Sequence, residues 1–428
     1  MKSWLSVPAD SPFPVQNLPY GVFSQGDEPP RVGVAVGDFV LDLAPLAAAE
    51  GLDGGHVFEE PSLNPFLALG RPAWTAVRAW LLELVTHEGY RDLVESHLVD
   101  RADVTLHLPF EVADYVDFYS SRHHAENVGR IFRPDAEPLT PNWLHQPLAY
   151  HGRSGTVVVS GTGVVRPRGQ RKSADDPAPT YGPSERLDVE AEVGFVVGVP
   201  SRLGEPVPVE AFRDHVFGVC LVNDWSARDL QAWEYVPLGP FLGKSFATSV
   251  SPWVVPLDAL EPARVAPPEQ EPPVLPYLRS AEPWGLDLAL EVAWNGHVVS
   301  RPPFASMYWT APQQLAQQTL NCASLRTGDL FASGTVSGPE ADQRGSLLEL
   351  SWNGQQPVRL ADGSQRTFLE DGDEVVVSGW APGADGVRIG LGEVRGRVLP
   401  ARGGQPDGAP AGQLPAAGQR PGGPPPPG

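Results

Sequence analysis

Cysteine is nearly absent: Cys220 and Cys322 are the only two in 428 residues. Both lie in apolar surroundings without metal-type spacing, so buried reduced thiols are expected rather than a disulfide or a nucleophile. Positive charge is scarce too. With 31 basic against 52 acidic residues the formal charge is -21, which argues against nucleic acid or an anionic membrane as partner. Any anionic ligand must therefore be drawn in by local cations. No apolar run approaches the ~18 residues of a membrane span, and MKSWLSVPADSPF lacks the apolar stretch of a secretion signal, so the expected compartment is the cytoplasm. What is present is ordinary for a folded protein, 41% hydrophobic and 19% charged, in a chain long enough for two domains.

The pattern along the chain divides it. In the first part VGVAVGDFVLDL (32–43) alternates around Gly-Asp like a small hairpin, and PAWTAVRAWLLELV (72–85) has helical apolar spacing, so residues 1–110 read as a small leading domain. Over 111–400 strands dominate: GTVVVSGTGVV, LDVEAEVGFVVGV, LDLALEVAWNG, GSLLELSWNG and GDEVVVSG. Two of them end in Asn-Gly, the hairpin dipeptide. The fold class is mainly β (α+β), with a sandwich or roll as the larger domain. Residues 258–285, rich in Pro and Glu, read as a surface loop. Residues 401–428 carry too few large apolar side chains to offset their ordering entropy and are expected to be disordered.

Acidic residues carry the chemistry. In LDVEAEVGF, Glu190 and Glu192 stand two apart, so a strand points both carboxylates to one face; a solvated face is the bland alternative. Asp117, between Val116 and Phe118, and Asp224, at the end of an apolar run, add two more acids on structured edges. Four carboxylates with no cysteine or histidine pair suit a hard cation, Mg²⁺ or Ca²⁺. In HHAENVGRIF, His124, Val128 and Ile131 recur at i, i+4 and i+7, which turns His124 inward and His123 elsewhere. Such a histidine is more often a core residue than a catalyst. In GSLLELSWNG, however, Glu349 is an acid in an apolar strand and calls for a partner. A histidine held by a carboxylate makes a general base.

The stretch VCLVNDWSARDLQAWEYVPLGPFLGKSFATS (219–249) mixes cations and aromatic rings. Ser226 and Asp229 have capping-box spacing, which predicts a short helix from there. On it Arg228, Gln231 and Tyr235 share a face. The turn PLGPFLGK then presents Lys244, completing a site for something anionic.

The segments DYVDFYSSRHHAENVGRIFR, LAYHGRSGTVVVSGT, LDVEAEVGFVVG, VNDWSARDLQAWEYVPLGPFLGKSFATSVSPWV and FASGTVSGPE...GSLLEL closely resemble the fumarylacetoacetase family. The likeness runs from PYGVFS to about residue 400. It implies a small SH3-like N-terminal domain, a β-rich catalytic domain, a homodimer, and hydrolysis of the carbon–carbon bond of 4-fumarylacetoacetate. Carried over by motif, Asp117, Glu190, Glu192 and Asp224 are the metal carboxylates, with Lys244 and Thr248 beside a second, magnesium-type position. His124 is the base and Glu349 orients it. Arg228, Gln231 and Lys244 contact the reacting carbonyl, while Tyr119, Arg133, Tyr150, Gln231, Tyr235 and Thr335 bind substrate. His123 stands where the family commonly has glutamine, and EADQRGSLLEL departs from the usual run before the glycine. Two other functions fit parts of the pattern: the same carboxylates acting on another oxo-acid, or a cation-dependent binding module with no base.

Overall fold

The computed structural model describes residues 2–173, 175–282 and 284–403. The alternating stretch near the N-terminus forms the expected hairpin: Arg31–Val36 pairs antiparallel with Phe39–Asp42. Gly37, at φ 59°, takes the left-handed position of the turn, which glycine adopts without steric cost. The hairpin lies in a five-stranded antiparallel sheet in the order Leu98–Asp100, Phe39–Asp42, Arg31–Val36, Tyr20–Gln25, Val104–Leu106. Helix Arg71–Thr86 buries Trp74, Val77, Leu81, Leu84 and Val85, the stripe its spacing predicts. This is the small leading unit.

The larger part is built on two sheets. The first has the order Ala149–His151, Tyr115–Phe118, Leu330–Ala332, Ala191–Val197, Val216–Asp224, Thr248–Val250, Val157–Val159, with Val255–Pro256 also paired to Val216–Asp224. The second runs His297–Ser300, Ala289–Trp294, Glu374–Pro382, Arg388–Leu399, Val164–Val165. Val193, Phe195, Val219 and Leu221 from the first share a core with Leu290, Val292, Val377, Leu391 and Val394 from the second. The opposite face of the same strands offers Val196, Cys220 and Val222 to the core of the N-terminal unit. Covered on both faces, Ala191–Val197 and Val216–Asp224 are buried at every residue, which explains their near-continuous apolar runs.

Several local expectations change in the fold. GSLLELSWNG is not a strand: Leu347–Leu350 is one helical turn capped by Ser346. Its Asn353-Gly354 takes left-handed φ values, as does Asn295-Gly296, but only the latter joins two paired strands. Helix Arg228–Glu234 exists, yet the Ser226–Asp229 capping box does not. The Ser226 hydroxyl donates to the Asp224 carbonyl, and the Asp229 carboxylate accepts from the Ser184 hydroxyl and the Glu185 N–H. Residues 258–285 are mostly irregular and at the surface, as expected, but they are anchored. Arg264–Val265 pairs with Gly285–Leu286, Gln270 donates to the Tyr308 carbonyl, and Leu278 is fully buried against Trp143, Tyr308 and Trp309. Cys220 is buried and free as expected, whereas Cys322 is only half-buried, at φ 69°. The disorder expected for 401–428 falls, after Gly403, outside the described residues.

Candidate active site

The acids converge at strand ends on one face of the first sheet. Asp117 leaves Tyr115–Phe118, Glu190 and Glu192 stand at the start of Ala191–Val197, and Asp224 ends Val216–Asp224. Ligand oxygens of Asp117, Glu190 and Asp224 lie within 4.8 Å of one another, all three residues being buried. Glu192 is fully buried beside them, outside that triad, and its charge interacts with all three. Burial, then the neighbouring charge of Asp224, pushes Asp117 well above the usual carboxylate range; burial and Asp117 do the same to Glu192.

Cations offset part of this crowding. Lys244 Nζ donates to Glu190 Oε2 and, at 2.8 Å, to Asp224 Oδ2. Arg228 spreads over three partners: Nε to Asp188 at 2.7 Å, Nη2 to Glu190 at 2.7 Å and Nη1 to the Gln231 side-chain oxygen at 3.0 Å. Burial alone would raise Glu190, but Lys244, Arg228 and His124 outweigh it and hold its carboxyl well below the usual range. Burial would likewise lower Lys244, and Asp224 and Glu190 reverse this and keep it an ammonium. An ammonium has no lone pair, so what Lys244 can offer a metal is its carbonyl.

Other groups close the ring. The Tyr150 hydroxyl lies 2.8 Å from Asp117 Oδ2 and 2.9 Å from Asp224 Oδ2, its one proton shared between them, and the Thr248 hydroxyl donates to Asp224 at 2.8 Å. Of the four acids, Glu192 at both oxygens and Asp117 at Oδ1 are buried without a hydrogen-bond partner among the described residues. Unpaired buried carboxylate oxygens are costly unless a cation meets them, so this donor set, all hard oxygen, fits a divalent ion such as Ca²⁺ or Mg²⁺.

Beside the acids stands a dyad. His124, in helix Arg122–Phe132, shares a 2.7 Å hydrogen bond through Nδ1 with Glu349 Oε2. Glu349 is fully buried and also accepts from Asn127 at 2.9 Å, Ser337 at 3.0 Å and Ser346 at 2.8 Å. Burial would raise its carboxyl, but His124, Asn127 and Ser346 bring it below the usual range. An acceptor at Nδ1 places the ring proton there and leaves Nε2 basic. The Tyr119 ring meets His124 edge-on, with centroids 5.4 Å apart.

The remaining sequence candidates are more scattered. Thr335 is buried with its hydroxyl unpartnered, and Arg133 donates to the Pro138 carbonyl. Tyr235 ends its helix 40% exposed, without a side-chain hydrogen bond among the described residues. Sequence reasoning missed Asp188, Asn127, Ser337 and Ser346. Only Ser346 carried a local signal, the Ser-x-x-Glu spacing to Glu349.

A fumarylacetoacetase N-terminal family model matches residues 16–109, and a fumarylacetoacetate hydrolase C-terminal family model matches 114–399. The chain is 50% identical to human fumarylacetoacetase over 415 residues, covering 93% of this chain and 99% of the human protein. It is also 50% identical to the Caenorhabditis elegans fumarylacetoacetase over 421 residues, 94% of this chain and 100% of that protein. Its fold matches a solved fumarylacetoacetate hydrolase from psychrophilic Exiguobacterium antarcticum with a TM-score of 0.53 at 18% identity, covering 90% of this chain and 100% of that one. With both matched regions lying on the two units of the fold, the chain belongs to the fumarylacetoacetase family.

Proposed function

We propose that this chain hydrolyses the carbon–carbon bond of 4-fumarylacetoacetate to fumarate and acetoacetate, the final step of tyrosine and phenylalanine degradation. The observation that carries the reading is a buried His–carboxylate dyad set against an acidic cluster. A binding module would need the acids but no base. Asp117, Glu190, Glu192 and Asp224 would hold a divalent cation, calcium or magnesium, with Lys244 and Thr248 beside a second position. A cation held there supplies a Lewis acid for the β-diketone oxygens and a counter-charge for the departing enolate.

The residues supply the rest. His124, with its Nδ1 proton held by Glu349, takes a proton from water at Nε2. The water oxygen bonds to the carbonyl carbon on the fumaroyl side. The oxyanion formed there accepts hydrogen bonds from Arg228 through the Nη protons not spent on Gln231 and Glu190, from the Gln231 amide and from the third Lys244 proton. Losing one such donor typically costs about 3 kcal/mol of transition-state stabilisation. When the carbonyl re-forms, the carbon–carbon bond breaks, its electron pair leaves as the acetoacetate enolate, and the proton on His124 goes to that carbon. Tyr119, Arg133, Tyr150, Tyr235 and Thr335 bind the substrate. The same reading makes the enzyme a homodimer, as the family resemblance implies, working in the cytoplasm.

The test follows the absorbance of 4-fumarylacetoacetate with purified protein before and after chelation. Turnover should vanish with chelator and return with Ca²⁺ or Mg²⁺, and Asp224→Asn should weaken cation binding and turnover together. Full activity in metal-stripped native protein would remove the metal from the reaction. Consumption of a different oxo-acid in place of this diketone would replace the substrate.

A further inference from the structure

Asp188 is completely buried, and all its hydrogen-bonding capacity is committed. Its Oδ1 accepts from the Val189 N–H and the Leu347 N–H, both at 2.7 Å. Its Oδ2 accepts from Arg228 Nε at 2.7 Å and from the Leu348 N–H at 3.0 Å. These partners belong to three different parts of the site. Val189 leads into Glu190. Leu347 and Leu348 open the single helical turn that carries Glu349, and their N–H groups are two of those a helix start leaves unpaired. Arg228 reaches Glu190 and Gln231 with its other nitrogens.

A four-residue turn cannot hold itself, because forming one turn orders several residues for a single internal hydrogen bond. Here the carboxylate of a distant strand does the capping. The same oxygen that caps Leu348 fixes the guanidinium, so the depth of Arg228 and the height of Glu349 are set from one point. We propose that Asp188 is a positioning residue, which holds the oxyanion-binding Arg228 and the turn bearing Glu349 in mutual register so that base and oxyanion donors address the same carbonyl. The proposal rests on the hydrolase reading given above.

Asp188→Asn is nearly isosteric, but it turns one acceptor into a donor facing the Arg228 and Leu348 donors. It should lower kcat by ~10²-fold or more, since preorganised donors and base must all be in place. KM and Ca²⁺ affinity, measured by calorimetry, should stay within about threefold, because no metal carboxylate is removed. Amide hydrogen exchange at Leu348 should quicken while strand Ala191–Val197 keeps its protection. Unchanged kcat in the folded variant would overturn the proposal, as would a loss accounted for by the unfolded fraction alone. Should Asp188→Asn fail to fold, Asp188→Glu, which keeps the charge but displaces it by one methylene, is read by the same measurements and the same criteria. If the native enzyme leaves 4-fumarylacetoacetate untouched, the hydrolase reading fails by itself. Asp188 is then judged by exchange at Leu348, and unaltered exchange overturns its role.

Discussion

His123 and His124 are neighbours in sequence, yet only His124 is buried and meets a carboxylate; His123 is half-buried and has no such bond. His124→Ala should cut turnover by ~10²-fold or more with cation binding retained, and His123→Gln should be mild. Because His124 and Glu349 act as one unit, the double change His124→Ala with Glu349→Gln should cost little more than the worse single change in single-turnover rates. Multiplying losses would refute the dyad. A second residue-scale test lies away from the site. Burial pushes Asp329 up from the ordinary 3.8 to about 6, against the pull of the Arg326 N–H and charge. A raised folded-state value means the fold prefers the neutral form, so the contribution of this residue to stability is fully present below pH ~4 and is lost as pH rises through about 6. Urea midpoints should therefore show Asp329→Asn gaining on the native protein between pH 4 and 7. A difference that stays flat with pH contradicts this.

Among the elements, the turn at Leu347–Leu350 shows how two local signals competed. Its apolar run suited a strand, while Ser346-x-x-Glu349 suited a helix start. The Ser346 hydroxyl accepts from the Glu349 N–H and donates to its carboxylate, and Asp188 receives the remaining amides, so the helical form leaves no buried donor unpaired. The segment 258–285 is a surface segment as expected, but an anchored one. Composition describes its many prolines, but not Leu278 inserted among Trp143, Tyr308 and Trp309. Leu278→Ala should cost about 2–5 kcal/mol in chemical denaturation. A loss under half a kilocalorie would mean the segment is not docked.

At the scale of the molecule, the two family regions do not have separate cores. Phe217, from the catalytic sheet, packs on Tyr20, Phe66 and Trp74 of the N-terminal unit, with ring centroids 5.3 to 5.7 Å apart. Strand Tyr20–Gln25 also makes an isolated bridge to Val254. Calorimetry should show a single unfolding transition, and Phe217→Ala should lower it as one peak while costing about 3–5 kcal/mol. Two resolved transitions would show that each unit folds alone.

Local pattern was enough to find the acids, the inward histidine and the β class, because periodicity is a property of neighbouring residues: two positions apart on a strand, or four on a helix, decides which way a side chain points. It was also enough to read Lys244 and Arg228 as cations of a site for something anionic, but not to set them against Glu190 and Asp224. What needed the folded chain was everything that depends on partners distant in sequence. Asp188 looked like one more acid in LDVE until Leu347 and Leu348, 159 and 160 positions away, delivered their amides to it. Asn127 reaches Glu349 across 222 positions, and Glu192 gained its meaning from being buried with nothing to bond. Hydrogen bonds and burial are settled by tertiary packing, which no window of neighbouring residues contains.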